Sequence, residues 1–189
     1  MVVGTFKSAM QISACALLLG AISTTPATAG SAEDETFQAF EWFCLKHIER
    51  TAEIEGLFRD LDLPPLPDEK ARIFLAPVTG AAWFVPGNET DFIVAVTHSG
   101  SCSVYGPNAL ASKVGGLFER FVKHRLVKEY EEGSEVVRVY VVTASDTSKS
   151  EVHGMVLVRR SNLMTKGVSL TSKPESAMRA GGLELPIWP

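Results

Sequence analysis

DFIVAVTHSGSCSVYG, residues 91–106, carries the reading from which the rest of the fold follows. Apolar and β-branched residues crowd Phe92 to Thr97, turn formers interrupt them, and a second short run follows from Ser101 to Gly106. Two such runs about Ser99-Gly100 read as an antiparallel hairpin with a tight turn. A two-residue turn sets Thr97 opposite Cys102 and Val96 opposite Ser103. Alternation then puts Cys102 on one face with Ile93, Ala95, Thr97 and Val104, and His98 on the other with Phe92, Val94 and Val96. A three-residue turn reverses that assignment.

The same signal extends in both directions. Upstream, RIFLAP (72–77) and AAWFVPG (81–87) read as strands, with PGNETD (86–91) as a hairpin loop, so that residues 72–106 form one meander. Downstream, LVKEYEE (126–132), EVVRVYVVTA (135–144), EVHGMVLVRR (151–160) and VSLT (168–171) form a second. A helix precedes each meander. In FQAFEWFCLKHIER (37–50), Phe37, Phe40, Cys44 and Ile48 recur at helical spacing, with Phe43 widening the stripe. A second short helix, with Thr51 as its cap, carries Ile54, Leu57, Phe58 and Leu61 and ends at the prolines of LDLPPLPDE (61–69). After Pro107-Asn108, Leu110, Val114, Leu117, Phe118, Phe121 and Val122 form another helical stripe, with Glu119 and Lys123 paired outside it. The basic run KHRLVK (123–128) is expected to close that helix, and Gly115-Gly116 to mark close packing on the sheet. The fold class is therefore α+β: an antiparallel sheet of two meanders with helices packed on it, in one domain from 30 to 189. The apolar, proline-containing tail GGLELPIWP is expected to lie extended on the core.

Residues 1–29 read as a secretory signal: Lys7, an apolar stretch containing ALLLGAI (16–22), and Ala27-Thr28-Ala29 as a small-x-small cleavage pattern. A lipid-attachment reading at Cys15 would leave ALLLGAI on the mature chain. An uncleaved anchor is disfavoured because the run is shorter than the ~20 residues that span a bilayer. Beyond residue 29 the chain keeps 17 Lys+Arg against 22 Asp+Glu, a net charge of -5, which argues against a nucleic-acid partner. It has no stretch apolar enough for stable membrane insertion once the signal is removed. Cleavage removes Cys15, and Cys44 and Cys102 become an even pair in a periplasmic or secreted, oxidising location. A disulfide is their default state.

Gly100-Ser101-Cys102 also resembles the nucleophile segment of papain-like proteases, over three residues only. A strand end and turn follow it, so no helix N-terminus lowers the thiol pKa. A cysteine-dependent hydrolase built on Cys102 would need His124 or His153 as base, and this is the alternative to the disulfide, beside buried free thiols. His47, His98, His124 and His153 lack metal-ligand spacing, and no cofactor motif is present. Asp60 and Asp62, and Glu131 and Glu132, occupy solvated or turn positions unsuited to acid–base work. Asn88-Glu89-Thr90 matches a glycosylation acceptor, which has meaning in a eukaryotic source.

Phe40, Cys44 and Leu45 (FxxxCL), the strand Ala82-Trp83-Phe84, and Gly100, Cys102, Ser103 and Val104 (GxCSV) followed by a helix resemble a group of small exported bacterial proteins of unassigned function. The resemblance spans residues 37–122. It implies a periplasmic location and a Cys44–Cys102 bridge, and implies no activity. The sequence leans away from an enzyme and towards a binding or accessory module for a protein or cell-envelope ligand. A homodimer formed by edge pairing is the structural alternative.

Overall fold

A computed structural model describes residues 30–132, 135–145, 151–160 and 167–175. The expected signal and the tail from Ser176 onward lie outside the described residues. The architecture is α+β, as the periodicities imply. Among the described residues, seven antiparallel strands form one sheet in the order β1-β2-β3-β7-β6-β5-β4. They are β1 (Gly80–Val85), β2 (Phe92–Thr97), β3 (Cys102–Gly106), β4 (His124–Glu132), β5 (Glu135–Ser145), β6 (Glu151–Arg160) and β7 (Val168–Pro174). Both meanders are present, and β7 joins them by pairing with β3 from Cys102↔Ser172 to Gly106↔Val168.

The central hairpin corrects the expected register by one residue. Gly100 has φ 87° and its amide donates to Thr97 O, while the Thr97 amide donates to Ser101 O. The turn thus has three residues, His98 to Gly100, and Val96 pairs with Cys102. Because directly paired residues share a face, Cys102 lies with Phe92, Val94, Val96 and Val104 rather than with Ile93 and Ala95. The glycine is what permits the longer turn, since it supplies the positive φ at no steric cost.

Helices cover this inner face. Helix α1 (Ala32–Ala39) begins at Ser31, whose hydroxyl accepts from the Asp34 amide in a reciprocal capping box. It runs into a π-helical stretch, Phe40–Leu45, where the Lys46 amide reaches back to Glu41 O. The wider turn brings Phe40, Phe43, Cys44 and Leu45 inward together. A regular 3.6-residue helix would have turned one of these four toward solvent. Helix α2 (Ala52–Asp60) buries Ile54 and Phe58, and Thr51 makes no side-chain cap. Asp62, at φ 55°, terminates it in the left-handed conformation that Asp tolerates.

RIFLAP is not a strand. Asp68 to Leu75 form helix α3, which begins directly after Pro67 with Asp68 and Glu69 in its first turn. Its small buried face, Ala71 and Leu75, packs on Ala82 and Ala95 of the outer face of β1 and β2. Pro67 fixes φ at the helix entry and the two acids suit its dipole, signals that outweigh the apolar run.

Helix α4 (Ala111–Phe121) buries Val114, Gly115 and Phe118. It ends at Val122 in extended conformation, and His124 to Lys128 begin strand β4 instead of closing the helix. Pairing of β4 with β5 overrides the helix-end reading of the basic run, because this stretch supplies the partner for Tyr140, Val141 and Val142. Glu119 turns away from Lys123 and contacts Tyr140 and Arg138 of β5.

Two carboxylates of α1 fasten the loops at its end of the sheet. Glu35 accepts the amides of Asn88, Glu89 and Thr90 at 3.3, 2.9 and 3.3 Å. Glu33 accepts the Leu110 amide at 3.2 Å and lies 3.6 Å from Lys113 Nζ. Burial raises both pKa values, but the amides that each accepts outweigh it, and both carboxyls sit below their ordinary value.

The glycines separate packing from permissiveness. A Cβ on Gly106 would fall inside the Thr36 side chain, so α1 and β3 touch through a missing methyl group, whereas one on Gly116 meets nothing within 4 Å. We expect Gly106→Ala to destabilise by about 1–3 kcal/mol through overpacking and Gly116→Ala to stabilise by up to ~1 kcal/mol through helix propensity. Urea unfolding midpoints of the two variants check both signs.

Candidate functional site

The two cysteines meet at the centre of the molecule. Cys44 projects from the π-helical stretch and Cys102 from the first position of β3, with Cα atoms 5.4 Å apart and sulfurs bonded at 1.99 Å. Both side chains are fully buried. Phe40, Phe43, Val94, Val96 and Val104 belong to the same core. Cys102 therefore carries no thiol, and the hydrolase reading loses its nucleophile. Cys102 faces the helices because the turn has three residues and not two, and there it meets Cys44.

The histidines proposed as its partners lie elsewhere. His124 is on β4, four strand positions from β3, or about 19 Å at ordinary strand spacing. Its Nδ1 is 2.7 Å from Val122 O, and its ring packs against Phe118 and Tyr140. His153 pairs with Thr143 on β6, two strand positions from β3. His98 is exposed in the turn and holds Thr79 Oγ1 at 3.2 Å. His47 lies 3.5 Å from Glu53. Among the described residues no group of three or more His, Cys, Asp or Glu side chains could hold a metal ion.

The strongest polar cluster stands around Tyr140, where it was not expected. This side chain is fully buried, and its hydroxyl donates to Glu119 Oε1 at 2.5 Å. Arg138 bridges Glu119 at 3.5 Å and Glu129 at 2.6 Å, which ties α4, β5 and β4 into one network. Burial, then the neighbouring Glu119 carboxylate, push the Tyr140 phenol up to about 12. The arrangement satisfies a buried hydroxyl. Sequence periodicity hides it, because Tyr140 occupies an ordinary inward position of an apolar strand.

Two surface clefts flank an aromatic stack that runs from Phe43 through Phe58 to Trp83, with ring centroids 4.8 and 4.5 Å apart. A groove of about 440 Å³ lies between the first helix and the β1–β2 loop, lined by Gln38, Glu41, Trp42, Lys46, Val85 and Asn88 among others. Trp42 is 54% exposed there, with Lys46 Nζ 4.5 Å from its ring centre. The second cleft, about 590 Å³, has Trp83 and Ala81 in its floor and Glu55, Arg59, Asp62, Pro64 and Pro65 around it. Their chemistry is that of surfaces able to hold a ligand by apolar contact with a polar rim. Asp62, from one of the acidic pairs of the sequence, lines this second cleft. The glycosylation pattern falls in the β1–β2 loop, with Asn88 exposed and Thr90 buried.

No family model, no curated protein and no solved structure matches this chain.

Two outcomes follow from this geometry. Replacing Cys44 and Cys102 together with serine removes a closure across a sequence separation of 58 residues; the expected loss is ~4 kcal/mol, read from chemical denaturation. Between pH 10 and about 12 the folded protein retains a Tyr140 proton that the unfolded chain has lost. Stability is fully present below pH 10 and declines towards pH 12, by about 2 kcal/mol. In Tyr140→Phe the alkaline slope of the urea midpoint should flatten.

Proposed function

We propose that the protein is exported to an oxidising compartment, periplasmic or extracellular, and serves there as a binding or accessory module for a protein or cell-envelope ligand. The buried Cys44–Cys102 bond carries this reading. A structural disulfide in a core is retained where thiols are not kept reduced. The signal-like residues 1–29 and the resemblance to small exported bacterial proteins agree with it. No described helix is long and apolar enough to cross a membrane.

Binding is favoured over catalysis because Cys102 is bonded to Cys44 and has no thiol to ionise, and the rings of His47, His98 and His124 serve packing, ion-pair or turn contacts. The exposed Trp42 of the first groove is the natural contact for such a ligand, since an indole supplies large apolar area at small entropic cost. Self-association by edge pairing meets obstacles at both edges. The Leu66 amide already occupies Ala82 O of β1, and β4 is bulged between Leu126 and Lys128 and carries charged residues along its length.

The test expresses the full chain in a bacterium, with fractionation and maleimide labelling before and after reduction. We expect the protein in the periplasmic fraction, unlabelled until it is both denatured and reduced. Protein found in the cytoplasm with Cys44 and Cys102 both labelled without reduction would remove the export reading. Photo-cross-linking from position 42 in the periplasm then asks for the ligand. A partner lost on Trp42→Ala supports the groove, and cross-links unchanged by substitutions around it exclude it.

A further inference from the structure

The side chains around the first groove narrow the chemistry of what it can hold. Gln38, Glu41, Trp42 and Lys46 lie exposed along one side of the first helix, spaced by three, one and four residues. Asn88 closes the groove from the β1–β2 loop, over a floor that includes Phe43 and Phe92. Glu35 fixes that loop in advance, since it accepts the amides of Asn88, Glu89 and Thr90, and the Asn88 side chain approaches the same carboxylate. Those bonds weigh against an extended peptide, which gains its affinity from backbone hydrogen bonds, because the three loop amides are already donated. A cationic ligand meets Lys46 Nζ, which stands 4.5 Å from the Trp42 ring centre, where an ammonium would bind. An anionic ligand has Lys46 to pair with but faces the carboxylates of Glu35 and Glu41. An exposed indole ringed by two amides, an acid and an ammonium suits a neutral molecule with an apolar face and a hydroxyl edge. A pyranose ring has both.

We infer that this groove binds a neutral glycan chain of the cell envelope, with one pyranose ring laid on the part of Trp42 that Lys46 leaves open. The inference rests on the reading of the protein as an exported binding module and names the class of its ligand. Trp42 is 54% exposed, and its ring offers apolar area that costs little entropy to hold in place. Beside it, Gln38 and Asn88 each carry a donor and an acceptor, which match a hydroxyl group in either sense, while Glu41 accepts and Lys46 donates. Each hydroxyl bond replaces a bond to water and adds little net affinity. Several rings in series are therefore needed, which favours a polymer over a free sugar.

The experiment titrates the protein, purified with its disulfide intact, with a β-linked N-acetylglucosamine tetrasaccharide and with the monosaccharide, and follows both by NMR. Expected is saturable binding of the tetrasaccharide, about tenfold or more tighter than that of the monosaccharide. Trp42→Ala should weaken it about tenfold or more, and Trp42→Phe, which keeps an aromatic face, by no more than about threefold. Trp42 is exposed, so both variants should keep the parent's urea midpoint, measured on the same preparations. Absence of saturable binding, equal binding of the single sugar, or binding that Trp42→Ala leaves unchanged would each overturn the inference. A protein cross-linked at position 42 without tetrasaccharide binding sinks the glycan inference and leaves the export-and-binding reading standing. A cytoplasmic protein with reduced cysteines removes that reading even if the sugar binds.

Discussion

The covalent bond between Cys44 and Cys102 joins the first helix to β3, and the remaining contacts are arranged around that junction. The π-helical widening at Phe40–Leu45 lets one turn present Cys44 to β3 while Phe40, Phe43 and Leu45 also enter the core. Immediately before it, Thr36 rests against Gly106, and Glu33 and Glu35 hold the backbone of the loops beside β3 and β2. The helix is therefore fixed to the sheet by a covalent bond, a steric fit and two charge-assisted clamps along about three turns. On the far half, α4 has no such bond. There the Tyr140–Glu119–Arg138–Glu129 network and the packing of Phe118 perform the equivalent attachment.

Much of this was legible in the order of residues, because periodicity reports burial directly. The stripe of Phe37, Phe40, Cys44 and Ile48 is buried throughout, and every strand of the second meander falls where alternating apolar runs place it. What escaped was decided by competition between signals. RIFLAP has the apolar density of a strand, yet Pro67 and its following acids start a helix that needs only Ala71 and Leu75 to face the sheet. KHRLVK has the charge of a helix terminus, yet β5 needs a partner. The hairpin turned on one backbone conformation, that of Gly100, which residue type permits but does not dictate.

The cysteine pairing is legible from composition but not from strand parity. Counting cysteines in an oxidising compartment led to the bridge, and the geometry agrees. The strand parity offered beside it placed Cys102 on the outer side, where α3 lies, and from there it could not have met Cys44. Surface features were the least legible. The clefts beside Trp42 and Trp83 depend on how loops and helices abut, and no linear period records that.

The pairing of β3 with β7 has a consequence for the order in which the chain is made. As a chain grows from its N-terminus, residues 80–106 hold three adjacent strands and the partner of residue 44 before residue 168 has been added. Until β7 arrives, that half ends in an unpaired β3, and the ladder of β4, β5 and β6 ends in an unpaired β6. The middle of the finished sheet is thus the last seam to be sewn, and the interval before it closes is when a nascent molecule offers a bare strand to others.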